Sequence, residues 1–393
     1  MRRCAWLVLA VASIVLVGAT VALATRHGID QARDRVDQPT TIAAPIFAYY
    51  SVGYTSHSWW SLRGDLPILG RYSSSEQAVM MTHIRRAKAA GIEGFLVRWK
   101  NTRMHQENLS ALATIAGEEG FKLGVAYDSS QIDGSRARVR RVQADLDVLI
   151  ALIADRRAFD EFGKALVIWG DSQRYARTQV AQTTRDRRDD LLILASESTV
   201  RGIERLAGIV DGNAYEWPSL DPQVERGFVR TLAAMGDAVR RDGGIWIPVA
   251  TPGLRHQRIS SRTEVVPRRS GVTLKQRLNG AARSDPTVIG LLSWNDFSTG
   301  THIEASRLHG SRYLDIVGQL TASPPTSDAA PSTPGGALFT RGFPERVLLL
   351  VSFTLVAGLT ICSPLSVEAG ETRFRAPRPC PGRAPRSNRS SGC

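Results

Sequence analysis

From Pro45 onward, apolar runs of strand length alternate with segments of helical period. The runs are Ile46–Val52, Ile92–Trp99, Phe121–Tyr127, Ala165–Gly170, Leu191–Ser196, Gly208–Tyr215, Gly244–Ala250 and Thr287–Trp294. They are nearly continuous in apolar residues, as strands covered on both faces must be. Between them the spacing predicts helices over Ser75–Ala90, Arg138–Phe162 and, approximately, 107–119, 173–188, 199–206, 222–241, 273–284 and 304–320. The first has a capping-box pair in Ser73 and Glu76 and a stop at Gly91. In Arg138–Phe162, the residues Val142, Leu146, Leu149, Ile150 and Ile153 share one face. Eight strands and eight helices in strict alternation over 45–320 predict an α/β chain folded as a closed (β/α)8 TIM barrel. An open nucleotide-binding sheet has little support, because Gly202 and Gly212 are isolated and no glycine-rich loop follows any strand.

The flanks read differently. Arg2 and Arg3 precede an apolar run from Ala5 to Thr25, so 1–25 is an export signal long enough to span a bilayer. Ala22-Leu23-Ala24 resembles a cleavage site, but the length of the run favours an uncleaved transmembrane anchor. The arginine pair then keeps the N-terminus cytoplasmic and the following domain outside. Residues 26–44 are a polar tether. Residues 321–346, rich in Pro, Ser, Thr and Gly, are a linker without a core. A second hydrophobic segment, 347–363, is short for a membrane span, and 364–393 is a basic tail expected to be disordered.

Composition narrows the function classes. The net charge of +13 is weighted toward the two ends, and no basic stripe interleaved with aromatics appears, so nucleic acid is not an expected partner. The cysteines are Cys4, Cys362, Cys380 and Cys393, which leaves the central domain without a disulfide, a thiol nucleophile or a cysteine zinc site. His57, His83, His105, His256, His302 and His309 are scattered along the chain, which predicts no metal site, and no cofactor is implied.

In a barrel the chemistry sits at the C-terminal ends of the strands. Those ends carry Tyr49 and Tyr50 with Trp59 and Trp60 beyond, Arg98 and Trp99, Tyr127 and Asp128, Trp169 and Asp171, Glu197, Tyr215-Glu216-Trp217, and Trp294-Asn295-Asp296. Aromatic faces stack on the C–H patches of sugar rings, and carboxyls bind hydroxyls or transfer protons, so this rim suits a carbohydrate. Taken singly, a strand-end tryptophan is more often core. The rim acids are Asp296, Glu216, Asp128 and Glu197. His302 either binds substrate or braces its loop. Glu304 either binds substrate or favours the N-terminus of the last helix through its dipole.

The stretch from Ser293 to Glu304, Ser-Trp-Asn-Asp-Phe-Ser-Thr-Gly-Thr-His-Ile-Glu, resembles the signature of glycoside hydrolase family 99 and its family 71 relatives. Phe47-Ala48-Tyr49-Tyr50 with Trp59-Trp60, Ala90 through Trp99, and Thr251-Pro252-Gly253 with Arg269 and Gly271 resemble other parts of that family. The resemblance covers 45–320. It implies a barrel that cleaves α-linked mannose or glucose polysaccharide with retention, Asp296 assisting attack by the substrate's 2-hydroxyl. The family's acid/base glutamate falls at Thr299, whose hydroxyl does not titrate in range. A displaced acid, Glu216 or Asp128, is then required. Substrate-binding candidates are Tyr49, Tyr50, Trp60, Trp99, Tyr127, Asp128, Tyr215, Trp294, Asn295, His302 and Glu304. The leading reading is a membrane-anchored extracytoplasmic glycosidase. The alternatives are an inactive barrel that binds envelope polysaccharide and a structural membrane protein with a passive domain.

Overall fold

The computed structural model describes residues 41–322 apart from 61, 63, 133–134, 218–220, 223–226 and 258–262. Its main sheet contains β1 (Ile46–Ser51), β2 (Gly94–Trp99), β3 (Lys122–Tyr127), β4 (Ala165–Trp169), β5 (Leu191–Ala195), β6 (Gly212–Ala214), β7 (Ile245–Ile247), β8 (Val249–Ala250) and β11 (Ile289–Leu291). The order is β7-β6-β5-β4-β3-β2-β1-β11-β8, and every pairing is parallel. The two end strands, β7 and β8, are consecutive in the chain and separated only by Pro248. Proline has no N–H to donate, so it divides what is otherwise one strand. Its carbonyl still accepts from Gly290 N, and Ala250 O accepts from Leu292 N. The segment 245–250 thus pairs with β6 on one side and β11 on the other, and the eight expected strands stand in a ring.

Among the described residues eight helices pack outside: α1 (Gln77–Ala89), α2 (Arg103–Glu118), α3 (Ser135–Ile153), α4 (Arg177–Thr184), α5 (Val200–Leu206), α6 (Phe228–Arg241), α7 (Val272–Ala282) and α8 (Arg312–Thr321). Gly91, at φ +73°, stops α1 as expected, with Ile92 N reaching back to Ala87 O in a Schellman arrangement. The helix start differs from the capping-box reading. Glu76 accepts from Ser73 N at 2.6 Å, but the Ser73 hydroxyl accepts from Ser75 N, ahead of the helix, which begins after Glu76. Several helices are shorter than their periodicity suggested, the 173–188 segment being helical only over Arg177–Thr184. The expected 138–162 segment ends at Ile153 and is followed by a separate turn at Arg157–Phe159. The expected 304–320 segment begins only at Arg312. A hairpin that the pattern did not predict, β9 (Leu254–Gln257) with β10 (Thr263–Val266), intervenes between β8 and α7.

No helix among the described residues is long and apolar enough to cross a membrane. The runs 5–25 and 347–362, with most of the expected tether and linker, lie outside the described residues.

Through β1 to β5 the side chains alternate between two layers. Ile46, Ala48, Tyr50, Phe95, Val97, Trp99, Val125, Tyr127, Val167, Trp169 and Ile193 pack with the helices. Phe47, Tyr49, Leu96, Ala126, Leu166, Ile168 and Leu194 fill the inside. The seam beside β6 is closest packed. Gly212 has φ +151°, and a Cβ there would lie 2.1 Å from Ile245 O. Gly212→Ala should therefore cost about 3 kcal/mol or more, as backbone strain and overpacking add. Chemical denaturation would read this as a lower midpoint, and an unchanged midpoint would contradict the packing described.

Candidate active site

The alternation that sorts the core also decides which strand-end residues face the mouth of the barrel. Continuing the inward positions past β2, β3, β4, β5 and β6 leads to Arg98, Asp128, Gly170, Ser196 and Glu216. These five line one pocket of about 240 Å³, together with Ala126, Tyr127, Asp171, Gln173 and Trp217. Their sequence neighbours Trp99, Trp169, Glu197 and Tyr215 are absent from its walls.

Three carboxyls therefore share the cavity with one guanidinium and an indole. Burial raises the Glu216 carboxyl above its ordinary range, and the charge of Asp171 adds to this, while Arg98, Tyr49 and Ser196 oppose it. Ser196 Oγ donates to Glu216 Oε2 at 3.3 Å. Asp171, at φ +62°, is raised too, first by burial and then by the charge of Asp128, with Arg174 opposing. Below Glu216 lies Tyr49, fully buried, its hydroxyl without a hydrogen-bond partner of good geometry among the described residues. Burial and the Glu216 charge push that phenol well up, so it stays protonated. Such a site favours the protonated form of a carboxyl, which can offer its proton to a bound oxygen.

The loop after β11 is built differently. Asn295 clamps Ser51, accepting from its N–H at 2.8 Å and donating to its carbonyl at 3.0 Å, which extends the β1 seam through a side chain. Asp296 is half-buried. Its Oδ1 accepts from Ser298 Oγ at 2.5 Å and Thr299 N at 3.2 Å, and its N–H donates to Ser293 Oγ. Thr299 contacts Thr301 through their hydroxyls at 3.0 Å. Asp296 does not line the pocket that holds Glu216.

The remaining candidates separate by layer. Glu216, Asp128 and Tyr127 reach the pocket, although the Tyr127 hydroxyl turns outward to donate to Asp145 at 2.7 Å. Tyr215 lies behind it, its ring 5.8 Å from that of Trp217. Tyr50, Trp99 and Trp294 belong to the helix-facing layer and do not enter the pocket. Tyr50 stacks on Phe95 and donates to His83 Nδ1 at 3.0 Å. His83 Nε2 in turn meets Glu304 Oε1 at 3.2 Å, and Glu304 Oε2 accepts from the Tyr72 hydroxyl at 2.7 Å. Glu304 is thus a buried acceptor well ahead of α8, not a charge at that helix's N-terminus. Glu197 is also turned away, accepting from Ser172 and Arg205. Trp60 is 69% exposed, with the Arg71 guanidinium 4.1 Å above its ring.

Gln173, which lines the pocket, carried no signal in the sequence, because it lies beyond a strand end on a short turn. Nor are the histidines as scattered in space as along the chain. His302 and His309 meet at Asp65, with all three ligand atoms within 4.8 Å of one another.

The fold and mouth define a (β/α)8 barrel with an acid-lined pocket at the C-terminal ends of its strands. No family model matches the chain, and no curated protein matches its sequence. Solved structures do. A GH99 endo-α-mannosidase from Bacteroides thetaiotaomicron superposes with a TM-score of 0.60 at 17% identity, covering 70% of this chain and 96% of that one. The structure of the GH99 enzyme from that organism with bis-tris-propane gives 0.60 at 20% identity, with the same coverages. A glycoside hydrolase-like protein gives 0.55 at 17% identity over 72% of this chain and 94% of its own. At these identities the likeness establishes the fold, which is the one the Ser293–Glu304 resemblance implied.

Proposed function

We propose that this chain is a glycoside hydrolase acting on an α-linked mannose or glucose polysaccharide, with Glu216 as the proton donor. One observation carries this reading: Glu216 and Asp171 share a mouth walled by Trp217, and both are held toward the protonated form. In the reaction the Glu216 proton passes to the departing glycosidic oxygen. A second carboxylate takes the proton of the sugar's 2-hydroxyl as that oxygen attacks the anomeric carbon and the glycosidic bond breaks. Water then attacks the same carbon, the new bond to the 2-oxygen opens with return of a proton to it, and hydrolysis ends with retention. Asp296 is the second carboxyl that the motif resemblance implies, and Asp128 is the one that the pocket offers. The GH99 fold supports the reaction class. The 1–25 run supports anchoring on the extracytoplasmic side of a membrane.

A specific observation favours the inactive alternative: Thr299 stands where the resembled family has its acid/base glutamate, and Asp296 lies outside the Glu216 pocket. The purified chain, incubated with α-mannan and α-1,3-glucan oligosaccharides, separates the two. The enzyme reading expects new reducing ends, with Asp296→Asn slowing their release about 100-fold or more if that carboxylate assists the attack. Glycan binding without cleavage by wild type would establish the inactive barrel instead.

A further inference from the structure

Residues 64–72 and 300–311 meet through a bridge between Pro67 and Ser306, with Ile68 N bound to Ala305 O and Arg307 N bound to Leu66 O. At this junction Asp65 Oδ2 lies 3.2 Å from His302 Nε2 and 3.9 Å from His309 Nε2. The other carboxylate oxygen is already engaged, accepting from Leu66 N at 2.8 Å and Leu308 N at 2.9 Å. The Asp65 carboxylate is thereby oriented from behind, as metal-binding carboxylates are. His302 lies flat on Phe297, with centroids 3.9 Å apart at 14°, and His309 meets Tyr313 edge-on at 5.3 Å.

We propose that Asp65 Oδ2, His302 Nε2 and His309 Nε2 form a binding site for a divalent transition-metal ion of the zinc class. Two imidazole nitrogens and one carboxylate oxygen are a donor set that zinc accepts, with a fourth position left to water. Bonds of about 2.0–2.1 Å in tetrahedral geometry place neighbouring ligand atoms roughly 3.3–3.4 Å apart. The Asp65–His302 separation already meets this. The His309 ring, 26% exposed on its side chain, must swing in by about half an ångström toward Asp65 and close a gap of up to 4.8 Å to the His302 ligand atom.

One group opposes the ion. Arg268 Nη2 donates to Gly300 O and His302 O and lies 3.4 Å from His302 Nδ1. When metal takes Nε2, the ring proton moves to Nδ1 and faces that guanidinium, so affinity is weaker than in a closed structural zinc site. The bound ion would tie 64–72 to the loop that carries Asp296, which makes the site a clamp on that loop. The inference stands independently of the glycosidase reading.

The test uses the full chain with its cysteines alkylated, so that Cys4, Cys362, Cys380 and Cys393 do not compete. Co2+ is titrated and followed by its visible ligand-field absorption, then displaced with Zn2+. Wild type is expected to take up one equivalent. His309→Ala is expected to bind at least about tenfold more weakly, and His57→Ala, at an exposed histidine outside the cluster, to bind as wild type. A thermal melt of His309→Ala without metal verifies its fold, and added Zn2+ should raise the wild-type midpoint but not the variant's. Absence of the absorption band, or equal binding by wild type and His309→Ala, overturns the site.

Discussion

Glu216→Gln is expected to lower turnover of an α-glycan about 10²- to 10⁴-fold, because it removes the group proposed to protonate the departing oxygen. The fold should survive. Glutamine keeps the size of the side chain and removes a charge that burial disfavours, so the variant should melt no lower than wild type near neutral pH. The sign follows from the raised carboxyl: its stabilising proton is fully present below the unfolded pKa and is lost as pH rises through the folded one. The same shift fixes the shape of the pH profile. Activity that needs protonated Glu216 falls on the alkaline side as that carboxyl ionises. Asp171→Asn removes the negative charge that adds to burial in raising it, so the alkaline limb should move to lower pH. A profile unmoved by Asp171→Asn, or full turnover by Glu216→Gln, would assign the proton transfer elsewhere.

The largest stability effect is expected at Glu304, far from that pocket. Glu304→Ala strands the Tyr72 hydroxyl and the His83 Nε2–H, both buried, and opens the chain of bonds that reaches Tyr50. Breaking a buried charged network from one side costs about 3–5 kcal/mol. For a domain of this size that is a fall in melting temperature of roughly 6–15 °C. Tyr72→Phe, which removes one donor to that carboxylate and leaves His83 in place, should cost less, about 1.5–3 kcal/mol. A melt that ranks the two variants equally would show that Glu304 does not organise this network.

This network bears on how much of the site could be read in advance. The ring of units was legible, since apolar runs and helical spacing set the order of elements independently of any contact. Which neighbour faces the mouth was not. Tyr49 and Tyr50, Arg98 and Trp99, and Tyr215 and Glu216 are adjacent pairs on strands covered from both sides, and such strands lack the polar alternation that reveals direction. The aromatic members Tyr50, Trp99 and Trp294 thus resemble sugar platforms in sequence yet pack against helices. Glu304 and His302 read as rim groups for a similar reason. The irregular segment 300–311, which delays α8 to Arg312, has no period from which its burial could be inferred. Conversely, the meeting of Asp65 with His302 and His309 depends on a loop contact across more than 230 positions, which only coordinates supply.

The ring has a seam. Its first strand is bonded to its last, with Ile46 opposite Ile289 and Ala48 opposite Leu291. During synthesis the early units can zip to one another in order, but β1 keeps an unpaired edge until residues beyond 291 have left the ribosome. That edge is apolar and long-lived, a template for pairing with other chains. The nascent protein is therefore most vulnerable to aggregation just before completion of the barrel, and a stall ahead of Ile289 should be more damaging to its yield than one after Leu292.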